Sequence, residues 1–494
     1  MRKKVGLIEL PAPKLLDPDG NNWTALRQHE PLGGKQILAG SLCTRFDVEL
    51  VNLKMGDDSV EMGEVEWRGM RLKKKAVGVS WRTLDPARYD VWGVTTNYLQ
   101  EREIACAIIS HLASAGARVV AGGSDAFAEP QPYLDAGATV IVLDKSGRSN
   151  VAAMNIALGI APEGTYLLRT REGDWVSGNP RLHPEEWSMP SVEFVRQTLG
   201  TKYWEGRVSD EMLPIGAIML DHGCDRHCDF CETPTYKLGY QHMSPKRTRE
   251  WLALQKEAGA RSFVCLSDQF LGRVLWKTGR SDVLEITRGF RELGLPVLWG
   301  NGLELAKATL GRGVKNSDSK PDRELVEGLW GWDGKTGCAQ AYIPAERPLE
   351  GSKSYAKLLT WQSHVELLKA IVSAGVPDLA YGVIVGLPED SNESLSRLID
   401  AIVELKTTLK QVNPRLRFRV TPFAVRPIPG TTMAANLRTS GLLRFTDPAI
   451  LGGFWTACAD TKFLRYEEVS DWQMRIIKHC SDDKNVWANF DFDE

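Results

Sequence analysis

The stretch GAIMLDHGCDRHCDFCETP, residues 216–234, takes the chain from a buried strand into a loop that carries three cysteines. Cys224, Cys228 and Cys231 follow the spacing C-x3-C-x2-C. Thiolate sulfur is a ligand for zinc, Cu(I) and iron–sulfur clusters. Structural zinc usually has two separated pairs of ligands, and no second cysteine pair follows downstream. The spacing therefore favours an iron–sulfur cluster that three cysteines hold and that keeps one iron open to a further ligand.

A zinc site is the alternative interpretation of the same loop. Either His222 or His227 would then supply the fourth ligand. Three thiolates and one imidazole complete the tetrahedron that structural zinc requires. This alternative makes the chain a zinc-stabilised binding module without catalytic activity, and it stays open at this point.

The composition is that of an ordinary globular chain. Its 494 residues include 61 Lys and Arg against 63 Asp and Glu, a formal net charge of -2, and 43% hydrophobic residues. This balance argues against a dedicated nucleic-acid-binding protein, which carries a basic surplus, and against wholesale disorder. Pro377, Asp378 and three glycines interrupt the longest apolar tract, residues 370–387, so no membrane span is expected. We expect a cytoplasmic chain with neither nucleic-acid nor membrane partners.

A series of strand and helix patterns begins at the cysteine loop. Helical patterns alternate with six strand patterns, and the first helix has Ser244 as N-cap and Pro245 behind it. A complete barrel of this type has eight units, so the sequence predicts a partial barrel whose open side another segment closes. Barrel active sites lie at the carboxyl ends of the strands, where the cysteine loop starts. The six predicted strands cover 215–220, 261–267, 296–302, 338–343, 379–386 and 416–424.

An earlier strand–helix alternation precedes the barrel. Buried-strand patterns at 90–96, 117–123 and 139–144 flank a helical pattern at 101–116, which predicts a parallel, doubly wound, Rossmann-like sheet. Ligands of such sheets bind beyond the carboxyl ends of the strands. The polar segment 171–192 is predicted to connect the two units. The predicted organisation is an N-terminal segment (1–75), a Rossmann-like domain (76–190), a barrel (191–440) and a C-terminal region (441–494) with helical stretches and an acidic, aromatic tail.

The cysteine spacing, with aromatic Phe230 before the last cysteine and a six-unit barrel around it, resembles the radical S-adenosylmethionine (SAM) enzymes over about residues 205–440. In that family a [4Fe-4S] cluster binds the amino and carboxylate groups of SAM at its open iron. An electron from the cluster then cleaves the sulfonium to give a 5′-deoxyadenosyl radical. The resemblance implies that Cys224, Cys228 and Cys231 are the cluster ligands.

The same resemblance implies roles for residues at the ends of other barrel strands. Phe230 would lie near the adenine, and Ser267, Asp268 and Gln269 would approach the methionine part of SAM or the substrate. Asp268, Glu304 and Tyr342 are candidate catalytic residues. The turn Gly386-Leu387-Pro388-Glu389 resembles the turn of the family that contacts adenine, so Gly386 and Glu389 are candidate SAM-binding residues.

A doubly wound domain followed by this barrel resembles the cobalamin-dependent branch of the family, from about residue 46 to 440. The resemblance implies cobalamin contacts at Asn97, Tyr98 and the run Gly122-Gly123-Ser124. The motif Asp-x-His-x-x-Gly is absent, and the only histidine between residues 90 and 144 is His111, inside a helical pattern. Either cobalamin binds without a protein histidine below cobalt, or the sheet has lost its cofactor.

The resemblance implies a C-methyltransferase that moves a methyl group from SAM, through methylcobalamin, to an unactivated carbon of a small molecule. A flavodoxin or ferredoxin would supply electrons. Two alternatives within the family stay open: a radical reaction without methylation, such as cyclisation or ring contraction, and polar methyl transfer from methylcobalamin. The substrate class stays open among natural-product intermediates, amino acids and tetrapyrrole-like molecules.

Overall fold

Two large sheets, the first mostly parallel and the second entirely parallel, organise the chain in the computed structural model, which describes residues 2–24, 30–201, 208–315 and 317–482. In the first half the strands are β1 (Lys4–Glu9), β2 (Ala12–Leu16), β3 (Asp47–Asn52), β4 (Ser59–Trp67), β5 (Met70–Val77), β6 (Val91–Thr95), β7 (Val119–Gly122), β8 (Val140–Val142), β9 (Tyr166–Thr170) and β10 (Gly173–Ser177). The helices there are α1 (Gly33–Leu42), α2 (Arg102–Ser114), α3 (Ser124–Ala128), α4 (Gln131–Asp135), α5 (Asn150–Ala157) and α6 (Val192–Gln197).

The second half has the same alternating character. Its strands are β11 (Ile215–Ile218), β12 (Asp221–His222), β13 (Gln241–His242), β14 (Ser262–Cys265), β15 (Val297–Trp299), β16 (Cys338–Glu346), β17 (Asp378–Val385) and β18 (Arg417–Ala424). Its helices are α7 (Pro245–Glu257), α8 (Gly279–Glu292), α9 (Arg323–Trp330), α10 (Trp361–Ser373), α11 (Asn392–Val412), α12 (Thr432–Thr439), α13 (Pro448–Gly452) and α14 (Tyr466–Cys480).

The N-terminal sheet has the strand order β10-β9-β8-β7-β6-β1-β3. Its five parallel strands, β3-β1-β6-β7-β8, have the 2-1-3-4-5 order of a doubly wound sheet. The winding reverses between β1 and β6, and ligands of such sheets bind at that switch point. The predicted doubly wound sheet is therefore confirmed.

Two stretches outside the predicted strands contribute to this sheet. Lys4–Glu9, within the predicted N-terminal segment, forms β1, which pairs with β6 through Val5 and Val91. The segment 171–192, predicted to be a connection, contains the edge strand β10, because 173–177 forms an antiparallel hairpin with β9. A small antiparallel sheet, β2-β5-β4, lies apart from the main one.

The barrel sheet has the order β11-β14-β15-β16-β17-β18, and every neighbouring pair is parallel. All six predicted strands are present. Alternate residues of β17 (Leu379, Tyr381, Val383 and Val385) are fully buried between the sheet and the helices outside it. Burying a side chain of this size contributes about 1.5–3 kcal/mol to stability, so this layer is a major part of the core.

The C-terminal region covers the free edge of the last barrel strand, β18. The amide of Val420 donates to Oγ of Ser481 at 2.9 Å, and that of Phe418 to a carboxylate oxygen of Asp482 at 2.9 Å. The side chain of Gln473, on α14, donates to the carbonyl of Pro422 at 2.8 Å. The free edge of β18 is thus satisfied by α14 and the residues after it. The predicted acidic tail lies in 483–494, outside the described residues.

The two halves contact each other directly. The side chain of Gln255, on α7, donates to Gln36, on α1, at 2.6 Å, and the amide group of Gln36 donates to Oγ1 of Thr198 at 2.9 Å. All three residues are buried. Among the described helices, none combines the length and the apolar character that a bilayer-spanning helix requires.

Candidate functional site

A cavity of about 470 Å³ lies where the carboxyl ends of both sheets face each other. One wall consists of residues that end or follow β1, β6, β7 and β8, and the other of residues that follow β11, β14 and β15. This is the switch point of the doubly wound sheet and the mouth of the barrel, the two places where such folds bind ligands. A shallower surface depression of about 600 Å³, beside β9 and β10, contains none of the predicted site residues.

The glycine loop after β7 forms part of this wall. Gly123 has a φ of +99°, and a Cβ on it would lie 2.3 Å from the carbonyl oxygen of Thr96. Only glycine fits this position without strain. All five residues predicted to contact cobalamin line the cavity: Asn97, Tyr98, Gly122, Gly123 and Ser124. The structure brings them together, and their role as cofactor ligands remains a prediction.

A buried charge network that the sequence did not indicate forms the floor of the cavity at the switch point. Nζ of Lys54 lies 2.5 Å from Glu9, and Nζ of Lys35 lies 3.5 Å from the same carboxylate. Burial disfavours the ionised carboxylate, but the two ammonium groups outweigh it and hold the pKa of Glu9 below its ordinary value. Burial lowers the pKa of Lys35. The three residues are far apart in sequence, and only the strand order brings them together.

The three cysteines lie half-buried on one loop, and none of them forms a disulfide. Burial raises the pKa of each of them, that of Cys228 to about 12. A thiol binds iron as the thiolate, so a positive metal centre must compensate for the burial. In the part of the chain that the structure describes, no three His, Cys, Asp or Glu side chains are grouped as ligands of a single metal ion. Each thiolate of a [4Fe-4S] cluster binds a different iron. Three cysteines on one loop can therefore supply the thiolates for such a cluster.

His222 does not offer a zinc ligand. Its Nε2 lies 2.7 Å from the carbonyl oxygen of Lys145, and its Nδ1 lies 3.0 Å from Asp268. Both ring nitrogens are therefore engaged. His227 is exposed to solvent. Among the described residues that line the cavity, His222 is the only histidine.

Ser267, Asp268 and Gln269 brace the cysteine loop from the end of β14. Oγ of Ser267 accepts the amide of Leu220 at 3.0 Å, and Asp268 accepts the amide of Gly223 at 2.8 Å. The backbone amide of Gln269 donates to Asp221 at 2.9 Å. Of the three, only Asp268 lines the cavity. Their contacts with SAM or substrate remain a prediction.

Glu304 is the centre of a buried charge network under the same loop. Its carboxylate binds Arg226 at 2.5 Å, Lys307 at 3.1 Å and the side chain of Gln269 at 2.8 Å. Lys307 also binds Asp225 at 2.5 Å. Asp225 and Arg226 lie between the first two cysteines, so this network fixes the loop. Glu304 was selected as a catalytic residue, and both of its oxygens are engaged in this network.

Phe230 packs in a cluster on the other side of the loop. Its ring contacts Tyr355 edge to face at 5.1 Å, and Nζ of Lys357 lies 5.6 Å from its centroid. Lys357 forms a buried ion pair with Glu346 at 2.6 Å. Burial raises the pKa of Glu346. Glu346 and Lys357 could not be recognised from the sequence, because their pairing depends on the loop after β16.

Tyr342 lies on β16, away from the cavity lining. Its ring fits between Gly302 and Gly382. A Cβ on Gly302 would lie 2.8 Å from the ring, and a Cβ on Gly382 would lie 2.0 Å from the hydroxyl. The ring also contacts Phe423 edge to face at 6.3 Å. Burial raises the pKa of the phenol well above its ordinary value. Of the three candidate catalytic residues, Asp268 lines the cavity, whereas Tyr342 and Glu304 do not.

The turn after β17 has one exposed and one buried acidic residue. Gly386 has a φ of +79°, and Glu389 is exposed and pairs with Lys462 at 2.5 Å. The next residue, Asp390, is fully buried and binds Arg347 at 2.5 Å. Glu389 is thus not brought to the cavity, and neither is Gly386.

No protein-family model matches the sequence, and no curated protein matches it. Solved structures do match. The cobalamin-dependent SAM radical enzyme OxsB, with aqua-cobalamin and SAM bound, is 13% identical with a TM-score of 0.65, and the match covers 96% of this chain. This chain spans 66% of the OxsB chain.

The second similar structure is the radical SAM methyltransferase TsrM from Kitasatospora setae, with cobalamin and a [4Fe-4S] cluster bound. It is 14% identical, with a TM-score of 0.61 and coverage of 98% of this chain and 90% of TsrM. TsrM with tryptophan substrate and a SAM analogue has a TM-score of 0.55 at 14% identity, covering 90% of this chain and 77% of TsrM. The resemblance stated from the sequence is confirmed at the level of the fold: this chain has the fold of the cobalamin-dependent radical SAM enzymes.

Proposed function

We propose that this chain is a cobalamin-dependent radical SAM methyltransferase that adds a methyl group to a carbon atom of a small molecule. One observation carries the proposal: the cysteine loop and the glycine loop of the doubly wound sheet border the same cavity. Glu232 and Thr233, which follow Cys231 directly, line it together with Asn97 and Gly123. The chemistry of both loops would therefore act on one bound molecule.

The residues present fit the three cofactors. Cys224, Cys228 and Cys231 would hold a [4Fe-4S] cluster, and the switch-point loops at Asn97 and Gly123 would hold cobalamin. When bound, the cluster would supply the electron that cleaves SAM, and cobalamin would carry the methyl group. Further residues of the barrel and of the cysteine loop remain candidates for SAM or substrate contacts. They are Asp268, Glu304, Tyr342, Phe230, Ser267, Gln269, Gly386 and Glu389.

The chain's own residues would orient the reactants and exclude water. Met219, Leu266, Met154 and Trp187 give the cavity apolar walls, which keep water from reactive species. The networks of Glu304 and Asp268 hold the cysteine loop in one geometry. Such fixed positioning is how a protein brings reacting atoms within reach of each other.

The proposed substrate is a small molecule that enters between the two sheets. TsrM is described with tryptophan as its substrate, and an amino acid or another small metabolite is our expectation for this chain. We further propose a flavodoxin or ferredoxin as electron donor and a cytoplasmic location.

Anaerobic reconstitution tests the proposal. The purified chain, incubated with iron, sulfide and hydroxocobalamin, should take up about four irons and bind cobalamin. Cys228→Ala should lose the iron and keep cobalamin. Cys106→Ala, a half-buried cysteine of α2, should keep both. One zinc per chain and no visible colour would instead support the binding module.

Product analysis with SAM and a reductant separates the reaction types. S-adenosylhomocysteine together with 5′-deoxyadenosine supports radical methylation. Deoxyadenosine alone supports a radical reaction without methylation, and S-adenosylhomocysteine alone supports polar methyl transfer. A chain that binds the cluster but leaves SAM intact would contradict all three.

A further inference from the structure

Tyr236 connects the cysteine loop to the N-terminal domain. It ends the 3-10 turn Thr233–Tyr236, which begins two residues after Cys231. Its hydroxyl lies 2.7 Å from Oγ of Ser124. Nζ of Lys145 also donates to Oγ of Ser124, at 3.0 Å. Ser124 follows β7 and Lys145 follows β8, so both partners belong to the cavity wall of the doubly wound sheet.

The ring of Tyr236 makes further contacts with the same domain. Nζ of Lys145 lies 5.1 Å from the ring centroid, within the distance of a cation–π interaction. Phe127, on α3, meets the ring edge to face at 5.5 Å and 87°. Tyr236 is thus held through its hydroxyl and its ring by residues of the other half of the molecule.

A second contact reaches Lys145 from the opposite end of the cysteine loop. His222, two residues before Cys224, has its Nε2 2.7 Å from the carbonyl oxygen of Lys145. Its other nitrogen lies 3.0 Å from Asp268. The rings of His222 and Tyr236 stack with centroids 6.3 Å apart and an interplanar angle of 27°.

The cysteine loop is therefore attached to the N-terminal domain on both sides of its thiols. Hydrogen bonds in a half-buried interface are strongly directional, and two attachment points remove the rotation that one would allow. A misplacement of about 1 Å between reacting groups can reduce a rate by about 100-fold.

We propose that Tyr236 is a positioning residue, which with Ser124, Lys145 and His222 fixes the distance between the cysteine loop and the loops of the doubly wound sheet. The inference rests on the proposed function for its consequence, because methyl transfer needs SAM and cobalamin at a fixed separation. The attachment itself does not depend on either cofactor.

Hydrogen exchange of the purified chain, without added cofactors, tests the attachment. Tyr236→Phe removes one hydroxyl, and amides of 122–128 and of 232–236 should both exchange about fivefold faster, as expected for one lost hydrogen bond. Tyr240→Phe is the matched control, because its hydroxyl donates within the barrel, to the carbonyl of Phe270 at 3.3 Å. Unchanged exchange of both segments in Tyr236→Phe would overturn the proposal.

A double variant shows whether the two hydroxyls act together. Ser124→Ala should accelerate exchange in the same two segments, and it also serves if Tyr236→Phe fails to fold. Because the two hydroxyls share a hydrogen bond, the double variant should exchange no faster than the faster single variant. Multiplied effects would show two independent contacts and would count against a joint attachment.

The reconstituted protein tests the consequence without the natural substrate. With SAM and cob(I)alamin, produced by titanium(III) citrate, the methyl–sulfur bond breaks, a methyl–cobalt bond forms and S-adenosylhomocysteine leaves. In Tyr236→Phe, with unchanged iron and cobalamin content, methylcobalamin should form at least about tenfold more slowly. The magnetic interaction between the reduced cluster and cob(II)alamin should also change. Tyr240→Phe should match the wild type in both measurements.

The proposed function and the positioning role of Tyr236 can be disproved independently of each other. A wild-type chain that binds no cluster or no cobalamin would overturn the proposed function, while hydrogen exchange would still decide whether Tyr236 attaches the loop. Normal cofactor loading, methylcobalamin formation and magnetic interaction in Tyr236→Phe would overturn the positioning role and leave the proposed function intact.

Discussion

The two walls of the cavity are built in different ways. The cysteine wall, on the barrel side, has its cysteine loop on one contiguous stretch, residues 216–234, and further residues of this wall lie at the ends of the neighbouring strands β14 and β15. The opposite wall is assembled from residues that end or follow β1, β6, β7 and β8, which are spread over more than a hundred positions. The chemically important residues of the first wall therefore lie close together in the sequence, whereas those of the second wall are brought together only by the strand order.

This difference predicts different sensitivities. A local loop depends on the groups that hold it in place, so removing a brace should loosen it. A wall made by strand order depends on backbone packing at a few close approaches, so adding one carbon atom there should disrupt it.

The largest effect is expected at the close approach of the sheet wall. In Gly123→Ala the new Cβ would meet the carbonyl oxygen of Thr96 at 2.3 Å, at a backbone conformation that favours glycine. Strain and overpacking together should reduce the free energy of unfolding by about 4 kcal/mol. Urea denaturation of the apoprotein measures the change.

Gly116→Ala is the control for backbone conformation alone. Its φ is +81°, yet nothing lies within 4 Å of its added Cβ. It should cost about 1 kcal/mol. Equal losses in the two variants would show that the contact with Thr96 is unimportant and that the sheet wall tolerates the added atom.

The next effect is expected in the brace of the cysteine wall. Glu304→Gln removes the negative charge between Arg226 and the buried ammonium of Lys307. Breaking a buried ion pair in this way should cost about 3 kcal/mol of unfolding free energy. The iron content after reconstitution should fall as well, because Asp225 and Arg226 lose part of their support.

Glu389→Gln is the matched control for Glu304→Gln. Both glutamates were selected from the sequence, but Glu389 forms an exposed ion pair with Lys462. Exposed pairs contribute about 0–1 kcal/mol, so this variant should be nearly neutral in denaturation and in iron content. A large loss in Glu389→Gln would mean that the turn after β17 contributes to the site through this side chain.

Much of the fold could be predicted from the sequence. The six barrel strands and the strands β6, β7 and β8 are short buried runs between helical patterns, and such runs are visible locally. The membership of β1 in the same sheet could not be seen, because the pairing of Val5 with Val91 joins distant positions. The hairpin strand β10 could not be recognised because four of its five residues, Trp175 and Val176 included, are exposed, so no buried run marks it.

The sequence points to a candidate site most directly where one loop carries the residues. The cysteines and the glycine loop were identified from spacing and from strand ends. The network of Glu9, Lys35 and Lys54 was not, because each residue looks like an ordinary surface charge in the sequence. Nor could the sequence tell which of Glu389 and Asp390 faces inward, since the turn at Gly386 decides it.

The smallest effect is expected in the pH dependence of stability. It concerns two buried carboxylates, one at the start of each unit. Glu9 ends β1 beside two lysines, which keep its pKa low. Asp221 begins the cysteine loop, with Arg273 4.0 Å away and one carboxylate oxygen without a hydrogen-bond partner among the described residues. Burial raises the pKa of Asp221 to about 6. The two groups should therefore affect stability with opposite dependence on pH.

For Asp221 the folded state binds the proton more tightly than the unfolded state. Its contribution is thus most favourable below its unfolded pKa, and stability is lost as pH rises toward and through 6. Between pH 5 and 7 the wild type should lose about 1 kcal/mol of unfolding free energy relative to Asp221→Asn. Relative to Glu9→Gln the wild type should show the opposite sign at lower pH, because the two lysines hold the pKa of Glu9 below its ordinary value of 4.5, so its stabilising contribution is present above that value and is lost as pH falls through the lowered pKa. Urea denaturation at several pH values measures both, and parallel curves for Asp221→Asn and the wild type would show that Asp221 titrates normally.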